Sequence, residues 1–131
     1  MAGYKKVLIA GDETGTVNIS FIIDGGGSVP STGSKGYLEI PFACTITGWT
    51  ILGNASGSAV VDVKRSTYSG FPTTSSIAGT EKPTLSSAQK NQDLSLTTWT
   101  TSISAGDILE FVLDSVATCK LLVVSIRATK V

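Results

Sequence analysis

The stretch Val17–Phe42, VNISFIIDGGGSVPSTGSKGYLEIPF, decides the fold class. Its opening sets Val17, Ile19, Phe21 and Ile23 on one side and Asn18 and Ser20 on the other, a period of two that specifies a strand. The run Gly25-Gly26-Gly27 and a Ser/Thr/Gly-rich segment then interrupt the chain before a second apolar stretch, Tyr37–Phe42. A phosphate-loop reading of the glycines fails for want of a following helix and a Gly-Lys-Ser/Thr ending. A calcium-loop reading of Asp24 fails for want of repeated acidic positions. The glycines supply backbone freedom at positive φ, which places a long exposed loop at one end of a strand-built domain.

Further strands are expected at Cys44–Leu52, Ser58–Arg65, Leu94–Ile103, Ile108–Asp114 and Lys120–Thr129, mostly bounded by Gly, Pro, Asp or Ser. Helical periodicity is nearly absent; Ser86–Gln92 could form one short turn capped by serine. Seven or eight short strands in 131 residues predict a single all-β domain, an antiparallel β-sandwich of jelly-roll type over residues 17–131. Residues 1–16, with one apolar run at Val7–Ala10 and the turn GDETG, are expected to be an N-terminal connector or edge strand.

The strands carry more apolar residues than one core requires. Leu122, Val124, Ile126 and Ala128 form one face of the last strand, yet Leu121 and Val123 stand opposite. Ile108 and Val112 likewise oppose Leu109, Phe111 and Leu113, and Ile22 opposes Phe21 and Ile23. Such a surplus predicts a second burial surface, supplied most simply by a homo-oligomer; covering loops or a curved sheet are the alternative.

Composition narrows the chemistry. Formal net charge is zero, charged residues are 15%, and Lys5-Lys6 and Lys64-Arg65 are too short to form a basic footprint, so nucleic acid is not an expected partner. No apolar run approaches the ~20 residues of a membrane span, and the N-terminal stretch lacks the apolar core of a signal peptide; a soluble chain without membrane insertion is expected. There is no histidine, which removes Ser-His-Asp and Cys-His catalysis and His-based metal sites. Carboxylates are present, but no spacing among Asp24, Glu39, Asp62, Asp107, Glu110 and Asp114 singles out an acid/base pair. The expectation is a protein without catalysis, metal or cofactor. Cys44 and Cys119 each lie in a strand-like segment and could pair only if those strands are neighbours; two buried thiols is the favoured reading.

The polar tract Arg65–Asp93 is long for a connection and carries Tyr68 and Phe71 among Ser, Thr, Asn and Gln. Aromatic faces among small hydrogen-bonding groups suit a recognition surface. A crossover packed on the sandwich, with the two rings as anchors, suits the same residues. As a ligand site the tract would offer Tyr68 and Phe71 for stacking and Asn91, Gln92 and Asp93 for polar contacts. Trp49 and Trp99 lie off the most aliphatic faces and are expected in a core or subunit interface rather than under a ligand.

The succession ISFIIDGGGSVPSTGSKGYLEIPFACTITGWTILGNASGSAVVDV, then FPT, KPTLSSAQKNQDLSLTTWTTSISAGDILEFVLDSV and a closing apolar strand, resembles a C-terminal module of tail and fibre proteins of tailed bacteriophages and prophages. The resemblance runs from Val17 to the end. Its most specific pieces are DGGGS, GYLEIPFACTI, WTIL, KPTLS and WTTSISAGD. It implies a β-sandwich head, commonly trimeric, at the host-facing tip of a virion fibre or baseplate protein, able to bind cell-surface saccharide; it identifies no binding residues. Two features depart from the pattern: the long shaft that usually precedes such heads is missing, and Cys119 stands where a polar or aliphatic residue is usual.

The expectation is therefore a receptor-binding head made in the bacterial cytoplasm and carried on the phage tail. Its expected partners are a homotrimer, host saccharide and other virion subunits. A purely structural virion assembly protein, or a carbohydrate-binding module of a bacterial enzyme, are the alternatives.

Overall fold

The computed structural model describes residues 15–131. Within them every element is a strand: β1 (Thr16–Asp24), β2 (Gly33–Ile40), β3 (Cys44–Ser66), β4 (Ser75–Ser76), β5 (Thr84–Asp93), β6 (Ser102–Ile103), β7 (Asp107–Ala117) and β8 (Leu121–Lys130). All pairings are antiparallel, and the eight strands form one curled sheet of β-sandwich, jelly-roll type. But for Gly15 and Thr16, the connector or edge strand expected over residues 1–16 lies outside the described residues.

The 23-residue β3 organises the sheet. Along one edge it pairs first with β8, from Cys44 to Gly53, and then with β7, from Ser58 to Ser66. Along the other it meets β6, β5 and β4 in turn. The first half of β3 thus belongs to a layer with β8 and β1, and the second half to a layer with β7 and β2. Between the halves, β3 passes the β7–β8 turn at close quarters. A Cβ on Gly57 would lie 2.5 Å from the Ala117 carbonyl oxygen and 2.9 Å from Cys119 Sγ, and one on Gly53 would also meet Sγ at 2.9 Å. Asn54 secures the contact, its side-chain oxygen accepting the N–H groups of Lys120 and Leu121 at 2.9 and 3.2 Å.

Core positions follow the alternation. Leu122, Val124, Ile126 and Ala128 are fully buried from one layer, Leu109, Phe111, Leu113, Val61 and Val63 from the other. Burying a side chain such as Phe111 contributes about 1.5–3 kcal/mol. Its ring also stacks on Phe21 of β1, with centroids 4.5 Å apart, closing the side of the sandwich. Trp49 joins the core through a bulge: the register of β3 against β8 shifts between Ile46 and Gly48, so Cys44, Ile46, Trp49 and Ile51 all point inward. Cys44 and Cys119 are free and buried. Cys44 faces Lys130 while Cys119 precedes Leu121, so the length of β8, about 30 Å, separates them. Burial, reinforced by the charge of Asp107, pushes the Cys44 thiol above its usual range.

Four expected segments differ. Cys44–Leu52 and Ser58–Arg65 are one strand, because the residues between them carry β3 from layer to layer. The serine-capped turn at Ser86–Gln92 is strand β5, held at the edge by backbone bonds to β3; only Leu85 of its ten residues is buried, so no alternation marks it. Leu94–Ile103 is strand only at Ser102–Ile103, because its backbone groups are taken elsewhere. Glu81 Oε1 accepts the N–H groups of Thr97 and Thr98 at 2.8 and 2.6 Å, and the Thr98 hydroxyl at 2.7 Å. The Glu81 carbonyl accepts both indoles, Trp49 and Trp99 each donating Nε1–H at 2.8 Å.

The Thr98 hydroxyl bond and the Thr98 and Thr97 amides hold the Glu81 carboxyl at about 2, against an ordinary 4.5. A carboxyl with a depressed folded-state value stabilises the fold above its unfolded value, and that contribution is lost as pH falls toward the folded value. Stability should therefore decline from pH 4.5 toward 2, with tryptophan fluorescence reporting release of the two indoles. Glu81→Gln should remove this component of the acid transition; an unchanged acid profile in that variant would contradict the assignment.

Candidate functional site

The two layers present very different outer faces. On the β2–β7–β3 face the second-half residues Asp62 and Lys64 alternate outward, beside Glu110 and Val112 of β7 and Tyr37 of β2. Residues 67–74 lie against this face, and Ser75 to Pro83 then run along the free edge of β3; together they bind its polar groups. Thr74 Oγ1 donates to Glu110 Oε1, and Ser76 Oγ donates to Asp62 Oδ1 at 2.6 Å. Lys82 Nζ lies 2.8 Å from Asp114 Oδ2 and 3.8 Å from Asp62 Oδ2. Burial opposes ionisation of Glu110, yet the hydroxyls of Ser34, Thr74 and Tyr37 and the charge of Lys64 outweigh it and hold the carboxyl below its ordinary range.

The turn that opens this crossing is ordered by its own backbone. Thr67 accepts the Gly70 N–H on its hydroxyl at 3.0 Å and the Phe71 N–H on its carbonyl at 3.1 Å. Phe71 packs edge-on against Tyr37, with centroids 4.9 Å apart and planes at 83°. Tyr68, three residues earlier, makes no such contact and is 76% exposed; Tyr37 and Phe71 remain 47% and 38% exposed. Phe71 is thus an anchor, as the crossover reading expects, and Tyr68 is a bare ring, as the recognition reading expects.

The expected polar partners lie elsewhere. Asn91, Gln92 and Asp93 are on β5, opposite Ile51, Thr50 and Trp49 in the first half of β3, whereas Tyr68 and Phe71 follow its C-terminal end. Asn91 Nδ2 donates to the Thr84 carbonyl at 2.8 Å, and Asp93 Oδ1 accepts the Ser95 N–H at 2.9 Å. Both are engaged by their own neighbourhood. Gln92 Nε2 donates to Thr50 Oγ1 at 2.8 Å and faces outward with it. The five residues therefore divide between two places. Tyr37, which the sequence reading used only as the start of a strand, belongs with Tyr68 and Phe71; its signal was its position opposite Leu38 on the outward side of β2.

The outer face of β1–β8–β3–β5 is built in rows across the strands. Ser20, Ser125, Thr50 and Gln92 form a row of hydrogen-bonding groups; Ile22, Val123, Leu52 and Lys90 form the next. Its relief is shallow. One depression of about 340 Å³ touches Asn18, Thr50, Ser125 and Arg127, and a second of about 350 Å³ touches Thr50, Leu52, Lys90, Asn91 and Gln92. No exposed aromatic ring stands in either. Among the described residues no group of three His, Cys, Asp or Glu side chains is placed to hold a metal ion.

No family model matches the chain, and no curated protein matches it. The solved structures that align include three with low scores. A carbohydrate-binding module, CBM4, aligns at 12% identity and TM-score 0.37, over 87% of this chain and 81% of its own. A serine protease of Aeromonas sobria aligns at 13% identity and TM-score 0.35, over 89% of this chain and 27% of its own. A structure of infectious bursal disease virus, Gx strain, aligns at 13% identity and TM-score 0.34, over 90% and 36%.

The bond from Thr74 to Glu110 tests how firmly the crossing is held. Hydrogen bonds to charged groups contribute about 1.5–3 kcal/mol. Thr74→Val, similar in shape, should lose stability of that order in chemical denaturation and should raise amide exchange across residues 67–76; a variant with parental stability would contradict the assigned role.

Proposed function

We propose that this chain is a non-catalytic recognition domain that takes saccharide on the ledge formed by Tyr37, Tyr68 and Phe71. The carrying observation is that three aromatic rings stand open to water, Tyr37 on β2 and Tyr68 and Phe71 on a segment otherwise fixed by part-buried, charge-assisted hydrogen bonds. A sugar ring presents C–H groups to an aromatic face and hydroxyls to the surrounding polar groups, here Thr67 and Ser69 of the same turn. Because the turn is already ordered, little conformational entropy is lost when ligand binds.

The carboxylates support a non-catalytic reading. Asp62 and Glu110 are engaged by Ser76 and Thr74, and Glu110 is held ionised beneath the crossing segment. The resemblance to phage tail and fibre heads supports a virion location and a host cell-surface glycan as ligand. On this reading the glycan is held by stacking and hydroxyl contacts, without metal.

Binding to an array of bacterial surface polysaccharides tests the reading. Tyr68→Ala should weaken binding about tenfold, or roughly 1.4 kcal/mol, while leaving the fold intact; Tyr68→Phe should retain most of it. Phe71→Ala should weaken binding at least as much, since it removes one ring and frees Tyr37. If Tyr68→Ala and Phe71→Ala both bind as the parent does, the ledge is not the site.

A further inference from the structure

The surplus apolar residues have two fates. On the β2–β7–β3 face, Ile108 and Val112 are half-buried, and residues 67–74 lie against that face. On the β1–β8–β3–β5 face nothing among the described residues crosses, and Ile22, Leu52 and Leu121 are 63%, 44% and 37% exposed, with Val123 half-buried between them. The register places Ile22, Val123, Leu52 and Lys90 side by side in one row, and Asp24 and Leu121 side by side in the next.

We propose that this face is a self-association surface, occupied by a second copy of the same chain packed sheet on sheet, a two-fold pairing in place of the three-fold head that the resemblance implies. The face carries its own complement. Asp24 lies at the β1 end of the apolar patch and Lys90 at the β5 end, three strand spacings or about 14 Å across and one row apart along the strands. A two-fold axis in the interface, parallel to the strands and between β8 and β3, reverses the order of strands in the second copy. Val123 of one copy then meets Leu52 of the other, and Lys90 of each comes over Ile22 of the other with Asp24 diagonal to it.

An axis across the strands would instead bring Lys90 onto Lys90. Charge thus selects the first arrangement, and face-to-face sheets ≈ 10 Å apart would bury Ile22, Val123 and Leu52 together. The aromatic ledge, on the other outer face, would stay open on both copies.

Light scattering of the full chain across protein concentrations reads this directly. The parent should show twice the chain mass, and Ile22→Lys, at a largely exposed position, should yield a folded monomer with dimerisation weakened by at least tenfold. Lys90→Asp should weaken the dimer, and the double variant Asp24→Lys/Lys90→Asp should recover it. Tyr68→Ala should not change the mass, which separates this surface from the saccharide ledge. A monomeric parent, a trimer, or an oligomer indifferent to Ile22→Lys would overturn the proposal.

Discussion

The structure depends on one close passage, where β3 crosses from layer to layer beside the β7–β8 turn. Gly53 and Gly57 leave just enough room for Cys119, and Asn54 binds the turn from the other side. A Cβ at Gly57 would overlap backbone at Ala117, which cannot retreat as the tip of a flexible side chain can. Because β3 continues through this passage, it can pair with β8 in one layer and with β7 in the other. The core then lies between its two halves.

Polar chemistry is concentrated where strand pairing stops. A single residue, Glu81, uses its carbonyl to hold Trp49 and Trp99 and its carboxylate to satisfy Thr97 and Thr98. Thr74 and Ser76 do similar work above Glu110 and Asp62. These contacts turn long connections into ordered structure with little strand, only the two residues of β4 and the two of β6, and a Ser/Thr-rich chain with few charges is suited to them. They also leave the outer faces unlike each other: one has residues 67–74 against it and carries exposed rings, while the other, among the described residues, is uncovered, ringless and partly apolar.

What was legible in the sequence was whatever alternation dictates. Val17–Ile23, Leu109–Leu113 and Leu122–Ala128 show a period of two, and each buries the face so marked. The interval Gly53–Gly57 reads as a turn because glycines usually mark one; that it extends a strand depends on Cys119, 62 residues beyond Gly57. β5 has no alternation to detect, since its ladder is made by backbone alone. The bulge at Ile46–Gly48 that turns Trp49 inward is equally silent in a residue pattern. The aromatic pair of the candidate site was legible from composition. Its separation from Asn91–Asp93, and its partnership with Tyr37, were not, because both follow from the path of β3.

The division of labour between the two outer faces is most directly tested by ¹⁵N chemical-shift mapping of the full chain, titrated with a polysaccharide fragment that it binds. Saccharide recognition by the ledge predicts shifts confined to Tyr37 and residues 67–72, with Asn18, Thr50, Gln92 and Ser125 unmoved. Shifts centred on those four residues would contradict it.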